Sequence, residues 1–199
     1  MGVKLYGIPL STPTACVMTC LAEKDIEYEL VPIQRRAQNP NSPRKKQSRA
    51  ITAYISHKYQ SGTDLFRHDN VEEAAMVGVW VEVESQQFNP PADTIIYNLL
   101  VKPFIGQTTD QSAVDASVVK LGLVLDVYEA RLSNSKYLAC DSFTLADLHH
   151  IPYIHYLFKT PHADLITSRA HVNAWWEDIS ARPSFVKVAE QVDAFIPKA

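Results

Sequence analysis

Ser11 is the residue whose type and position most clearly suggest chemistry. It follows "VKLYGI" (3–8), which reads as a short strand, and opens the helical run "STPTACVMTCLAEKDI" (11–26). A hydroxyl there lies beside unpaired amides of the first helical turn and the positive end of the helix dipole. These surroundings stabilise an anion, including the thiolate of a ligand, and lower its pKa. Alternatively, Ser11 or Thr12 is only a helix cap, and spacing alone favours this simpler interpretation.

Other catalytic chemistries find little support in the sequence. Cys16 and Cys20 share a helix face, but no cluster of histidines and cysteines completes a metal set, so buried structural thiols are favoured. A G-x-S-x-G elbow is missing, which argues against Ser11 as a hydrolytic nucleophile. His149 and His150 lie in an apolar stretch and are expected to be buried. The sequence therefore predicts no metal site.

The overall composition indicates a soluble globular protein. Of its 199 residues, 46 % are hydrophobic and 21 % are charged, and the formal net charge is −3. This balance gives no general attraction to nucleic acid or to an anionic membrane. Neither a signal peptide nor a transmembrane run is recognisable. The odd number of cysteines fits a reducing compartment, so we expect a cytoplasmic protein with no nucleic-acid or membrane partner.

The pattern of elements predicts an α/β unit followed by an all-α unit. A second strand, "EYELVPI" (27–33), completes a strand–helix–strand unit that should be parallel. A helix over 49–59 should carry its apolar face on Ile51, Tyr54, Ile55 and Tyr59. Helical patterns continue over 70–88, 110–132 and 143–158, and "FNPPA" (88–92) should break or bend the chain. We therefore predict an N-terminal domain over 1–61, a linker over 62–69 and a helical domain over 70–199.

Two local features refine this outline. Thr144 and Asp147 have the spacing of an N-terminal capping pair, in which each side chain accepts a hydrogen bond from an amide near the other residue. The segment 34–49 contains six basic residues, two prolines and no acid. A solvated loop is the favoured interpretation of that segment, because it lacks aromatic residues that would stack on bases; an anion-binding patch is the alternative.

Several of these segments together resemble the phi class of plant glutathione transferases. "VKLYGIPLSTPT" is similar to the N-terminus of that class, and "SRAITAYISHKY" is similar to its third helix. "VLDVYEARLSNSKYLACDSFTLADLHHIP" and "VNAWWEDISARPSF" are similar to its C-terminal half. The likeness runs over nearly the whole chain. It implies a thioredoxin-like N-terminal domain, a glutathione-transferase-type helical C-terminal domain and a homodimer.

The resemblance also implies roles for three residues. Ser11 matches the serine that hydrogen-bonds the glutathione sulfur and stabilises its thiolate. Ser48 matches the serine that binds the γ-glutamyl carboxylate of glutathione. Gln47 stands where the class usually has glutamate, so its hold on the γ-glutamyl ammonium should be weaker, because charge-assisted hydrogen bonds are stronger than neutral ones. Cys16 replaces an arginine that is common in the first helix.

The largest departure from the class lies between the second strand and Ser48. The class has a helix, a segment with a cis-proline and two strands there, whereas 14 residues, 34–47, join the same landmarks in this chain. Those missing elements need about 20 residues more. The N-terminal domain should therefore be truncated between about 34 and 48, and its first strand should expose an edge.

The resemblance predicts an enzyme that conjugates glutathione, its co-substrate, to hydrophobic electrophiles in detoxification. A non-catalytic carrier of apolar ligands is the alternative, because part of the glutathione site is missing. A weaker third hypothesis has the basic loop binding anions or nucleic acid. Calorimetry with glutathione separates the first two hypotheses, and salt dependence of binding tests the third.

Overall fold

The structure, a computed structural model, describes residues 2–33 and 47–194. These residues form two compact units. The first contains the described residues of Met1–Leu65 together with those of Pro183–Ala199, and the second is Phe66–Arg182. The basic side chains of 34–46, and with them most of the predicted anion-binding patch, lie outside the described residues. The predicted linker over 62–69 stays a prediction.

The described residues form helices and one small sheet, with two π-helical segments written π1 and π2. In chain order the elements are β1 (Val3–Gly7), α1 (Thr12–Glu23), β2 (Tyr28–Pro32), α2 (Ser48–Lys58), α3 (Val71–Val83), π1 (Glu84–Phe88), α4 (Asn89–Ile96), π2 (Tyr97–Val101), α5 (Lys102–Phe104), α6 (Gln111–Leu132), α7 (Leu145–Leu148), α8 (Ile151–Leu157), α9 (Asp164–Thr167), α10 (Ala170–Ser180) and α11 (Pro183–Ala194). Within the described ranges, no helix is long and apolar enough to cross a membrane.

The sheet of the first unit is small and parallel. Val3 of β1 lies opposite Tyr28 of β2, and the register continues to Gly7 opposite Pro32. The predicted parallel strand–helix–strand unit is therefore confirmed. A Cβ added at Gly7 would lie 2.5 Å from the Thr14 hydroxyl oxygen, so glycine allows β1 to lie close to α1.

One face of this sheet is open to solvent. Lys4 and Glu29 lie opposite each other and form an ion pair of 3.2 Å on that face. The neighbouring Tyr6 side chain is 63 % exposed. Over the described ranges the sheet has only two strands, which fits the predicted loss of a helix and two strands from the thioredoxin-like domain.

Helix α2 packs through a face that the sequence predicted only in part. Its buried residues are Ser48, Thr52, Ile55 and Ser56, whereas Ile51 and Tyr54 are exposed. The predicted apolar face is therefore correct for Ile55 and wrong for Ile51 and Tyr54. Small hydroxyl side chains let α2 approach α1 closely, and the Thr52 hydroxyl satisfies its hydrogen bond within the helix by donating to the Arg49 carbonyl at 3.0 Å.

Cys20 of α1 lies at this contact between helices. Its sulfur is 3.8 Å from the Thr52 carbonyl oxygen and 4.0 Å from the Ser56 hydroxyl. Burial raises the pKa of the Cys20 thiol to about 12, so the thiolate is not populated near neutral pH. Cys16 is also buried. The prediction that both thiols are buried is confirmed.

The second unit begins with a helical path that runs from Val71 to Phe104 through two π turns. Of the two outcomes predicted at "FNPPA", a break is wrong, because the backbone remains helical there. Pro90 and Pro91 cannot donate to the preceding turn, and the backbone passes through π1 immediately before them, where the Asn89 amide donates to the Glu84 carbonyl. The widened turn lets the chain remain helical across two consecutive prolines.

Helix α4 packs against both α6 and α8 in the second unit, around buried aromatic rings. Tyr128 and His150 are buried, and the Tyr128 hydroxyl lies 2.9 Å from His150 Nε2. His150 Nδ1 lies 2.8 Å from the Ala146 carbonyl, which can only accept, so Nδ1 carries the proton and Tyr128 donates to Nε2. The prediction that His149 and His150 are buried is confirmed.

The start of α7 contains the predicted capping pair. The Thr144 hydroxyl accepts a hydrogen bond from the Ala146 amide at 3.3 Å, and the Asp147 carboxylate accepts one from the Thr144 amide at 3.0 Å. Asp147 also accepts hydrogen bonds from the Leu138 amide at 3.1 Å and from Trp175 Nε1 at 3.0 Å. One fully buried carboxylate thus joins α7 to the segment before it and to α10.

Candidate functional site

Ser11 occupies the N-cap position of α1. Its backbone is extended, with φ −81° and ψ 120°, and its carbonyl accepts the first helical hydrogen bond from the Ala15 amide at 2.9 Å. Its own amide donates to the Ile8 carbonyl at 3.0 Å, which fixes the turn between β1 and α1. The Ser11 hydroxyl makes no capping hydrogen bond to the helix. The backbone of Ser11 therefore begins the helix, while its partly exposed hydroxyl remains available to a ligand.

The N-terminus of α1 is electrostatically suited to an anion. The first turn carries no acidic residue, so no carboxylate offsets the positive end of the helix dipole. Proline lies in this turn, where its missing N–H costs no intrahelical hydrogen bond. A thiolate placed against Ser11 would receive the hydroxyl hydrogen bond and the field of the helix together.

Gln47 and Ser48 lie at the N-terminus of a second helix, α2. Ser48 is the first residue of that helix and is buried, while Gln47 precedes it and is exposed. The Gln47 carbonyl accepts a hydrogen bond from the Ile51 amide at 3.0 Å, and its side chain does not cap the helix. The first turn of α2 is also free of acidic residues. A second anion, such as a carboxylate, is favoured there for the same reason as at α1.

Helices α1 and α2 pack against each other, but among the described residues those at their N-termini are not joined by a direct contact. In the described chain, no hydrogen bond or ion pair joins Ser11 to Gln47 or Ser48, and α1 meets α2 around Cys20. Each of the two helix N-termini can by itself favour an anionic group. Across residues 2–33 and 47–194, no group of three or more side chains could hold a metal ion.

Comparison with known families and proteins gives consistent matches. The family model for the C-terminal domain of glutathione S-transferase matches residues 88–183. The chain is 44 % identical to glutathione S-transferase F13 of Arabidopsis thaliana, with 95 % of each chain covered. It is 43 % identical to glutathione S-transferase APIC of Nicotiana tabacum, with 96 % of this chain and 99 % of that protein covered.

Solved structures agree with these sequence matches. Glutathione transferase F7 from Populus trichocarpa is 49 % identical, with a TM-score of 0.88 over 95 % of this chain and 98 % of that one. Glutathione S-transferase I from maize, in complex with an atrazine glutathione conjugate, is 39 % identical, with a TM-score of 0.89 over 98 % of this chain and 100 % of that one.

The alignment with the Arabidopsis protein is longer than the part of this chain that it covers. It spans 209 residues although it covers only 95 % of this 199-residue chain, so about 20 aligned positions have no counterpart here. This number is consistent with the length of a short helix and two strands, and the place of the truncation stays a prediction.

Proposed function

The chain belongs to the glutathione S-transferases, within the phi class of plants, and from this we propose that it joins the thiolate of glutathione to hydrophobic electrophiles. In this proposal Ser11 is the residue that stabilises the thiolate. Its relatives are glutathione S-transferases that match nearly the full chain. The observation that supports the role of Ser11 is its hydroxyl, which lies at the N-terminus of α1 without capping the helix. The carrier alternative is not favoured by these relatives.

The reaction begins with loss of the proton from the glutathione thiol to solvent. The Ser11 hydroxyl donates a hydrogen bond to the sulfur, and the positive end of α1 favours the negative charge, so the thiolate is populated at lower pH. The sulfur then forms a bond with the electrophilic carbon. A leaving group departs from that carbon with its bonding electrons, or the electrons move onto an electron-withdrawing group of the acceptor.

Two measurements on the intact chain test this proposal. Conjugation of glutathione to 1-chloro-2,4-dinitrobenzene is expected above the uncatalysed rate, and calorimetry is expected to show glutathione binding. If glutathione binds and no electrophile is conjugated, the carrier alternative replaces the enzyme. If glutathione does not bind at all, the missing segment has destroyed the site.

A substitution at Gln47 tests the predicted weakness of the γ-glutamyl site. In Q47E, a carboxylate replaces the amide and can pair with the γ-glutamyl ammonium, and its negative charge also favours the N-terminus of α2. We expect the Kd for glutathione to fall about threefold, a small effect because Gln47 is exposed and the charge is screened.

The matched control is Q60E. Gln60 is also exposed and lies beyond the opposite end of α2, so the same change of charge should leave the glutathione Kd unaltered. An equal effect of both substitutions would show that net charge, and not a contact at Gln47, determines the affinity.

The quaternary state, compartment and physiological role are also proposed from the resemblance. A homodimer is supported by Val119, Leu123 and Val127 of α6, which are 60–65 % exposed and follow one side of the helix. Sedimentation is expected to give twice the chain mass of 22.3 kDa, and a single-chain mass would contradict the homodimer. We further propose a cytoplasmic protein that detoxifies small electrophiles, which is tested by fractionation and by the electrophile sensitivity of cells that lack it.

A further inference from the structure

Glu23, at the opposite end of α1 from Ser11, is the most unusual charged residue of the first unit. It is the last residue of the helix and is only 6 % exposed. We propose that Glu23 is a positioning residue that holds α1, and through it the Ser11 hydroxyl, in place for thiolate stabilisation. This inference rests on the proposed function, because it requires that Ser11 contacts the glutathione sulfur.

The Glu23 carboxylate connects three segments that are distant in sequence. One oxygen accepts a hydrogen bond from the Thr63 hydroxyl at 2.5 Å. The other accepts one from the Ser184 hydroxyl, which lies in the first turn of α11. Both donors are neutral and the acceptor is charged, so each bond is stronger than an ordinary hydroxyl–carbonyl bond. Glu23 therefore connects α1 to the turn before the second unit and to the last helix.

The backbone around Glu23 is held by the same turn. The Glu23 carbonyl accepts a hydrogen bond from the Thr63 amide at 2.8 Å, and the Lys24 ammonium donates to the Thr63 carbonyl at 2.9 Å. Gly62 has a φ of +64°, and a Cβ there would lie 2.1 Å from the Glu23 carbonyl oxygen. Only glycine permits this close approach, so the 61–63 turn forms a tight clamp on the end of α1.

The electrostatics of Glu23 also point to a bridging role. A carboxylate at a helix C-terminus is unfavourable, because that end of the dipole is negative. The same carboxylate lies at the N-terminus of the 12-residue α11, where the dipole is positive and a negative charge is favoured. Glu23 is therefore stabilised by α11 and not by its own helix, and its charge holds the two helix ends together.

The small sheet gives this anchoring its importance. A strand pair of five residues per strand fixes a helix less firmly than a full sheet does, and the sheet of the first unit has only two strands in the described residues. Since α1 is a rigid rod of about 18 Å, a shift or rotation at Glu23 is transmitted to Ser11. A displacement of about 1 Å at a reacting group is enough to lower a rate substantially.

The test measures the pKa of enzyme-bound glutathione in E23A and E23Q. The thiolate is followed by its ultraviolet absorbance as the pH is raised, together with kcat and KM at each pH. We expect E23A to raise the thiol pKa by about one unit and to lower kcat about tenfold near pH 7, with a smaller change in KM. E23Q keeps the length of the side chain and one acceptor oxygen but loses the charge, so it should raise the thiol pKa by less than E23A does but still above the wild-type value.

The matched control is V188A, which removes a buried side chain of α11 from the same unit without touching the carboxylate. It should lower thermal stability and leave the thiol pKa unchanged. An unchanged pKa in E23A, or an equal shift in E23A and V188A, would overturn the proposal. If E23A does not fold, E23Q tests the proposal instead. A wild-type thiol pKa together with wild-type thermal stability in E23Q would then show that the charge of Glu23 does not position α1.

A parallel titration of S11A separates this inference from the function on which it rests. If S11A raises the thiol pKa and E23A does not, Ser11 acts as proposed and only the role of Glu23 is wrong. If S11A itself leaves the thiol pKa unchanged, Ser11 does not stabilise the thiolate and the proposed function of Ser11 fails first.

Discussion

Replacement of Ser11 by alanine is expected to lower kcat for glutathione conjugation about 100-fold near neutral pH. Removal of one hydrogen-bond donor that stabilises a developing or full negative charge usually lowers kcat by about this factor. The S11A variant loses the only side-chain hydrogen bond that the proposed mechanism places on the sulfur. The thiol pKa should rise toward about 8.5, the value of an unperturbed cysteine thiol. Glutathione affinity should change little, because the proposed site for the γ-glutamyl group is elsewhere, at Gln47 and Ser48.

The control for this prediction is T12A. Thr12 is the first helical residue of α1 and carries the same type of hydroxyl one position further along. Its removal should leave kcat within about twofold of wild type, a difference of the size that surface substitutions cause. Steady-state kinetics over a range of pH, combined with calorimetry, checks both variants. Equal losses of turnover and of glutathione affinity in S11A would argue against thiolate activation.

Asp147 is the residue whose loss should most damage the fold. In D147A, the amides of Thr144 and Leu138 and the indole N–H of Trp175 lose their shared acceptor in a fully buried place. Each unsatisfied buried donor costs about 1–3 kcal/mol, so we expect the free energy of unfolding to fall by about 4 kcal/mol. Denaturant unfolding of both proteins measures the difference, and the exposed D164A, on α9, should stay within about 0.5 kcal/mol of wild type.

The titration of Asp147 gives this prediction a second signature. Burial raises its pKa from 3.8 to about 6, despite the hydrogen bonds that lower it. Between pH 4 and 6 the folded state therefore binds more protons than the unfolded state, so the stabilisation that comes from protonation of Asp147 is lost as the pH rises through 6, while its hydrogen bonds from the buried donors remain. That loss is on the order of 2–3 kcal/mol for a shift of this size. The wild type should show it and D147A should not; identical pH profiles would contradict the assignment.

Local sequence signals predicted the features that depend on neighbouring residues. The parallel β1–β2 pair, the burial of His149 and His150 and the capping pair at Asp147 follow from short patterns and are confirmed. The same is true of the position of Ser11, because the change from strand to helix is visible in the sequence. That its hydroxyl does not cap the helix is a matter of side-chain orientation, which no sequence pattern specifies.

Features that depend on distant residues could not be predicted in this way. The buried face of α2 is chosen by the shape of α1 around Cys20, so small hydroxyl residues are covered and Ile51 is not. In the sequence, Glu23 is an acidic residue at a helix end of the kind that is usually exposed to solvent. The structure shows that it is buried and accepts hydrogen bonds from Thr63 and Ser184. Neither partner is close enough in sequence to leave a recognisable pattern.

The grouping of α11 with the first unit has a consequence for biosynthesis. On the ribosome, β1, α1, β2 and α2 emerge first, but the helix whose Ser184 binds Glu23 is made only after the whole of Phe66–Arg182. At a translation rate of about 5–20 residues per second, this delay is roughly 10 s. The nascent chain must therefore keep an incomplete N-terminal half, with an open strand edge, from aggregating until its last helix arrives. We therefore expect the first unit to be most exposed to aggregation during synthesis, before α11 is made.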